Sequence, residues 1–219
     1  MAIIPKLIII SLLSACTSLP QKTENIQKIF KMFSARSIDT HSIEISLEEI
    51  ENIKYPLIQV KTNDVIKHSV LLPISERNGF KNYISGSKQN ITLKGFTITK
   101  THGFNAYLIS LEIFSDSHLV KPTPYIMWPE KIKKVYTFVT PLNTSKTIEV
   151  QCVYEVQGEE EVSLLKNEIK ILKKINENCY GLGFNFKNIY WIDKFGFIWK
   201  SRQWISEKNI FADLAFLKL

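Results

Sequence analysis

Cys16 ends an apolar run as Leu13-Ser14-Ala15-Cys16, and a cysteine behind a leucine and two small residues is a thiol placed for acylation. Small side chains let the chain enter a signal peptidase, the thiol takes a diacylglycerol, and cleavage makes Cys16 the first residue of the mature chain. Lys6 and the amino terminus give a thin basic start. Leu7 to Leu12 form an apolar core too short to span a bilayer, so residues 1–15 read as a removable signal. One acyl chain holds a protein only marginally, whereas two or three hold it stably. Residue 17 is threonine rather than the aspartate that keeps such chains from being passed onward. The expected location is therefore the outer membrane, lipid-anchored and facing the periplasm.

Two further cysteines, Cys152 and Cys179, remain after lipidation. In an oxidising compartment an even pair is most simply a disulfide, with two buried free thiols as the alternative. No histidine stands near either at ligand spacing, so no metal site is expected. On the chain-entropy argument a bridge of this span contributes roughly 3.5 kcal/mol.

His41, His68, His102 and His118 belong to no recognisable nucleophile or metal constellation. They read as surface or turn residues. Glu159-Glu160-Glu161 invites comparison with a glycosidase acid, but neighbouring carboxylates on a loop point apart and solvate it, whereas glycoside hydrolysis needs two facing each other across a groove. The chain reads as a non-enzyme without catalytic residues, cofactor or metal.

Composition sets the frame for these residues. The chain is 45% hydrophobic and 22% charged, as globular proteins are, and no stretch beyond the signal approaches a membrane span. About two hundred residues follow the signal, enough for one domain with a full core. The expected organisation is a signal at 1–15, a lipidated tether at 16–22 and one β-rich periplasmic domain at 23–219. The net charge is +7, or +6 without Lys6, but the lysines are scattered rather than gathered into a stripe. Nucleic-acid binding is not expected, in composition or compartment.

Thr23 can cap a helix with Ile26, Ile29, Phe30 and Phe33 on one face, covered by the main domain, the membrane or a partner. Ser46-Leu47-Glu48-Glu49 is a capping box for a second short helix with Ile50 and Ile53 on its buried edge. From Tyr55 onward the period becomes alternating. Strands are predicted over 56–61, 65–72, 81–84, 91–93, 96–101, 107–114, 135–140, 147–156, 168–176, 184–192, 197–205 and 212–217. Residues 115–129, with three prolines and Trp128, read as a long surface loop. Residues 168–176 nearly fit a helix, but Cys179 must return beside Cys152, which favours a strand. The fold class is mainly β: an antiparallel β-sandwich or partly open barrel of about a dozen short strands with one or two short N-terminal helices.

The densest signal is Asn188-Ile189-Tyr190-Trp191-Ile192-Asp193, a turn at 194–196, and Phe197-Ile198-Trp199-Lys200-Ser201-Arg202-Gln203-Trp204. It reads as a hairpin in which Asp193 bonds the turn backbone and Gly196 takes a positive φ. Alternation puts Ile198, Lys200, Arg202 and Trp204 on one face and Trp199, Ser201, Gln203 and Ile205 on the other. Each face mixes aromatic and polar groups, which implies either a buried polar network or an exposed aromatic and basic recognition face. Tyr190, Trp191, Trp199, Lys200, Arg202, Gln203 and Trp204 are the candidate residues for binding a partner or polysaccharide.

An aromatic pair before Asp193, the turn at Gly196 and Ser201-Arg202-Gln203 resemble the late signature of the YjbF/YmcC (GfcB) family of lipoproteins of group-4 capsule and exopolysaccharide systems. Tyr55-Pro56, the 95–103 stretch and Cys152 with Glu177-Asn178-Cys179 fit the same resemblance. It implies a β-rich outer-membrane lipoprotein that accompanies an outer-membrane β-barrel in polysaccharide export or assembly. An acidic polysaccharide is a further candidate partner, and the family offers no catalytic residues to carry over. The alternative is a periplasmic lipid or lipoprotein carrier with an apolar pocket.

Overall fold

The computed structural model describes residues 50–218, apart from 51, 65–67, 115–116, 141 and 165–167. Cys16 and the helix expected after Thr23 lie outside the described residues, as do Ser46 and Glu49 of the capping box. Ile50, at the end of that expected helix, is helical, and it is buried with Ile53 against Leu57 and Leu72.

Twelve strands follow, one at each predicted position: β1 (Leu57–Thr62), β2 (His68–Arg77), β3 (Phe80–Ile84), β4 (Asn90–Lys94), β5 (Thr97–His102), β6 (Leu108–Phe114), β7 (Lys131–Val139), β8 (Ser145–Ser163), β9 (Ile169–Gly181), β10 (Phe184–Ile192), β11 (Ile198–Ser206) and β12 (Ile210–Lys218). All ladders are antiparallel, in the order β5-β4-β3-β2-β1-β12-β11-β10-β9-β8-β7-β6. Two meanders are thus joined where the first strand pairs with the last, Val60 opposite Leu214. The outer strands β5 and β6 meet at a seam where Thr101 Oγ1 donates to Ala106 O and accepts from Leu108 N. The sheet is a nearly closed barrel, one of the two architectures the alternation allowed.

The strands are not all short. β8 runs to Ser163, so Glu159-Glu160-Glu161 lies in a strand rather than the expected loop. The reason is cross-strand charge: Glu159 stands opposite Lys173, and Glu160 reaches Lys174 Nζ at 2.8 Å. A bulge at Gly158 (φ 118°) bends this β8–β9 arm past the end of β7. Residues 168–176 form a strand, as the cysteine argument required. Cys152 and Cys179 sit opposite each other, 27 positions apart in sequence, with α-carbons at 4.0 Å and sulfurs bonded at 2.06 Å.

The segment after β6 is no surface loop. It forms a one-turn helix α1 (Ser117–Val120) and a 3-10 turn (Tyr125–Met127) that close one end of the barrel. Leu119 and His118 are buried, which corrects the surface reading of that histidine. Trp128 is buried too and donates Nε1–H to Thr123 O at 2.8 Å. Two glycines admit this closure. A β-carbon on Gly95 (φ +61°) would stand 2.3 Å from Val120 O, and one on Gly196 (φ +85°) 2.1 Å from Thr123 O. Inside, Trp204 stacks on Phe186 with ring centroids 4.1 Å apart and meets Tyr136 and Phe138 edge-on.

Candidate functional site

The β10–β11 hairpin forms as its residues dictate. Asp193 Oδ1 accepts from Phe195 N (2.9 Å) and Phe197 N (3.0 Å), while its Oδ2 accepts from Trp199 Nε1 (3.1 Å). The candidate residues of this hairpin then separate onto two sides of the sheet.

Tyr190, Gln203 and Trp204 face inward and are buried. Gln203 is a clamp: its Oε1 accepts from Ile98 N (3.0 Å) and its Nε2 donates to Phe96 O (2.9 Å) and Ser201 Oγ (2.9 Å). The side-chain amide thereby supplies the backbone partners that the free edge of β5 lacks. Trp204 departs from the expected alternation with Lys200 and Arg202. The β10–β11 ladder ends at Ile189 opposite Arg202, Asn188 Oδ1 takes Trp204 N (2.7 Å) instead, and the indole turns into the core.

The inner side of this hairpin is a charged network that the sequence reading did not find. Lys134 and Glu177 are fully buried and paired at 2.7 Å. Glu177 Oε2 also accepts from Asn188 Nδ2 (2.6 Å) and Tyr190 OH (3.1 Å). Burial pushes the Glu177 carboxyl up, but the Lys134 charge and the donors Asn188, Lys134 and Tyr154 outweigh it and hold it below the usual carboxylate range. Burial first, and then the Glu177 charge, raise the Tyr136, Tyr154 and Tyr190 hydroxyls well above their ordinary value. The tyrosines stay neutral, and Tyr190 and Tyr154 donate to Glu177. Glu177 lies within 4.8 Å of Cys152 and Cys179, but both sulfurs are engaged in the bridge and offer no thiolate to a metal. A signal for this network was present. Lys134 sits between Ile132 and Tyr136, and Glu177 between Ile175 and Cys179, so period-two alternation places both charges on the core face.

Trp191, Trp199, Lys200 and Arg202 lie on the outer side with the β8–β9 arm. Lys174 Nζ and Lys200 Nζ stand 5.6 and 5.0 Å from the Trp191 ring centroid, Lys170 Nζ 4.5 Å from Trp199, and the Arg202 guanidinium 5.0 Å from Phe211. Each is within cation–π range. Trp191 Nε1 donates to Glu160 Oε2 at 3.2 Å. Hydrogen bonds from Lys174 and then Trp191 hold the Glu160 carboxyl below its ordinary value. Trp199, Lys200 and Arg202 are half-buried, and Trp191 is covered by Val162 and Leu172 of the arm. Next to this face opens a cleft of about 850 Å³ between the 3-10 turn, the arm and the hairpin turn, lined by Tyr125, Ile126, Ile171, Phe195 and Trp199 with Lys170, Lys173 and Lys194.

The class of protein is mainly β, a nearly closed twelve-stranded antiparallel barrel with an aromatic and basic outer face beside an end cleft. The crystal structure of the hypothetical lipoprotein YmcC from Escherichia coli K12 has the same fold, with a TM-score of 0.71 over 87% of this chain and 96% of that one, at 14% identity. No curated protein sequence matches the chain. Residues 24–217 match the YjbF family, described as the group 4 capsule polysaccharide lipoprotein gfcB, and the chain belongs to that family.

Proposed function

We propose that this chain is a membrane-tethered accessory of capsule or exopolysaccharide export or assembly, anchored through Cys16 in the outer membrane, facing the periplasm and docking with an outer-membrane β-barrel. The family match over residues 24–217 carries this reading. The outer face of β9 to β11 supplies the docking chemistry. Trp199, Lys200 and Arg202 are accessible there, whereas Tyr190, Gln203 and Trp204 hold the fold from within. Indole and guanidinium groups are the side chains that contribute most to protein interfaces.

Photo-cross-linking in intact cells from positions 200 and 202 tests the proposal. The expected adduct is with an outer-membrane barrel. Membrane pull-downs that recover neither a barrel nor a polysaccharide-export component, together with no adduct from either position, would remove it.

A further inference from the structure

Three large, strongly exposed apolar side chains meet at the end cleft. Ile126 (91% exposed), Phe195 (67%) and Ile171 (66%) line the end cleft, and the exposed Met127 follows Ile126 in the same turn and Ile169 precedes Ile171 in the same strand. They come from three separate segments: the 3-10 turn, the hairpin turn and the arm. Scattered singly, such residues need no explanation; gathered at one rim, they mark a contact surface.

Strand register shows which end this is. Ile192 pairs with Lys173 and with Ile198, Lys200 with Ala215, and Leu57 with Lys218. The cleft therefore opens at the same end as the start of β1 and the finish of β12. The chain also reaches the barrel here, through Ile50 and Ile53, with Lys218 Nζ donating to Ile53 O at 2.7 Å. The first described residue, Ile50, thus lies at the end that carries the rim.

The charges fit a lipid surface. Lys173, Lys194 and Lys170 line the cleft, and the exposed Lys54 and Lys121 lie at the same end. Among the acidic groups nearby, Asp193 holds the hairpin turn, Glu168 pairs with Lys170 at 2.5 Å, Glu159 faces Lys173, and the exposed Glu161 stands opposite Ile171. Lysines around protruding Ile, Met and Phe are the pattern of interfacial membrane contact, in which apolar tips enter the headgroup boundary and ammonium groups meet phosphates.

We propose that the cleft rim is a membrane-contact surface, with Ile126, Met127, Ile171 and Phe195 entering the leaflet that holds the Cys16 lipid and the lysines meeting anionic headgroups. This rests on the tethered reading above. It adds an orientation: with the rim on the lipid, the outer face of β9 to β11 stands beside the membrane, where the periplasmic edge of an embedded barrel would be found.

The test uses the full mature-length chain carrying Cys16→Ser, so that no acyl chain contributes, and vesicles of phosphatidylethanolamine with phosphatidylglycerol. Co-sedimentation is expected, and Ile126→Ser with Phe195→Ser should weaken it about tenfold or more. Leu142→Ser with Leu182→Ser removes two exposed leucines from other turns and should leave it unchanged. All four positions are exposed, so the variants fold, and retention of the bridge checks this. No sedimentation, or equal loss in both double variants, would overturn the proposal. So would displacement from vesicles by soluble polygalacturonate at matched ionic strength, which would make the cleft a glycan site. Cross-linking to a barrel from positions 200 and 202 is scored separately, so failure of the membrane contact is distinguishable from failure of the docking reading.

Discussion

Lys134→Met tests the buried ion pair, because methionine fills the lysine stem's volume and removes the ammonium, its charge and its hydrogen bond to Glu177. At 2.7 Å and an effective dielectric constant of about 20, the lost attraction is about 6 kcal/mol. The protein can limit that cost. Without its cation, Glu177 is a buried carboxylate and takes up a proton, which costs about 1.4 kcal/mol for each pH unit above the ordinary carboxyl value of 4.5. The expected loss is therefore about 3 kcal/mol at pH 7 and about 1 kcal/mol at pH 5.5, and the pH 7 figure lies in the range for breaking a buried pair.

The sign of the pH dependence reverses between the two proteins. In the native chain the folded carboxyl value is depressed. Its contribution is present above the unfolded value and lost as the pH falls through the folded one. In Lys134→Met the folded value is raised, so the contribution is present below the unfolded value and lost as the pH rises. Urea unfolding of the unlipidated chain at both pH values measures the difference, and Lys134→Met with Glu177→Gln should remove most of the pH dependence. An equal deficit at pH 5.5 and 7, or a deficit under about 1 kcal/mol at pH 7, would refute the reasoning.

Three further outcomes are expected. Gln203→Leu leaves Ile98 N–H and Phe96 C=O without their partner and should destabilise the fold by about 2–4 kcal/mol, with faster amide exchange along β5 as the local readout. Thiol titration of denatured, unreduced mature protein should find no free thiol, and Cys152→Ser should lower stability by up to about 3.5 kcal/mol without affecting lipidation; two titratable thiols would refute the bridge. Cys16→Ser should move the protein from the membrane to the soluble fraction of cells, and firm retention would show that protein contacts alone provide the attachment.

The sequence by itself determined the strands, the hairpin turn and the cysteine pairing, because alternation, Asp193 with Gly196, and an even cysteine count are local constraints. All twelve strands overlap the predicted ones, eleven of them placed by the period of two and 168–176 by the return of Cys179 to Cys152. It also held the information that Lys134 and Glu177 face the core, since their apolar neighbours two positions away are buried. What it could not carry was which remote groups meet. Gln203 clamps β5 only because the sheet curls until its edge crosses β11, more than a hundred positions away in sequence. Trp204 leaves the face of Lys200 and Arg202 only because the ladder to β10 stops and Asn188 takes its amide. Residues 117–128 looked like a solvated loop because prolines and short polar segments carry no period. Gly95 and Gly196, by omitting a β-carbon, let that segment close the barrel end. The cleft and its apolar rim exist only there, where three segments distant in sequence are brought together by the closure of the sheet.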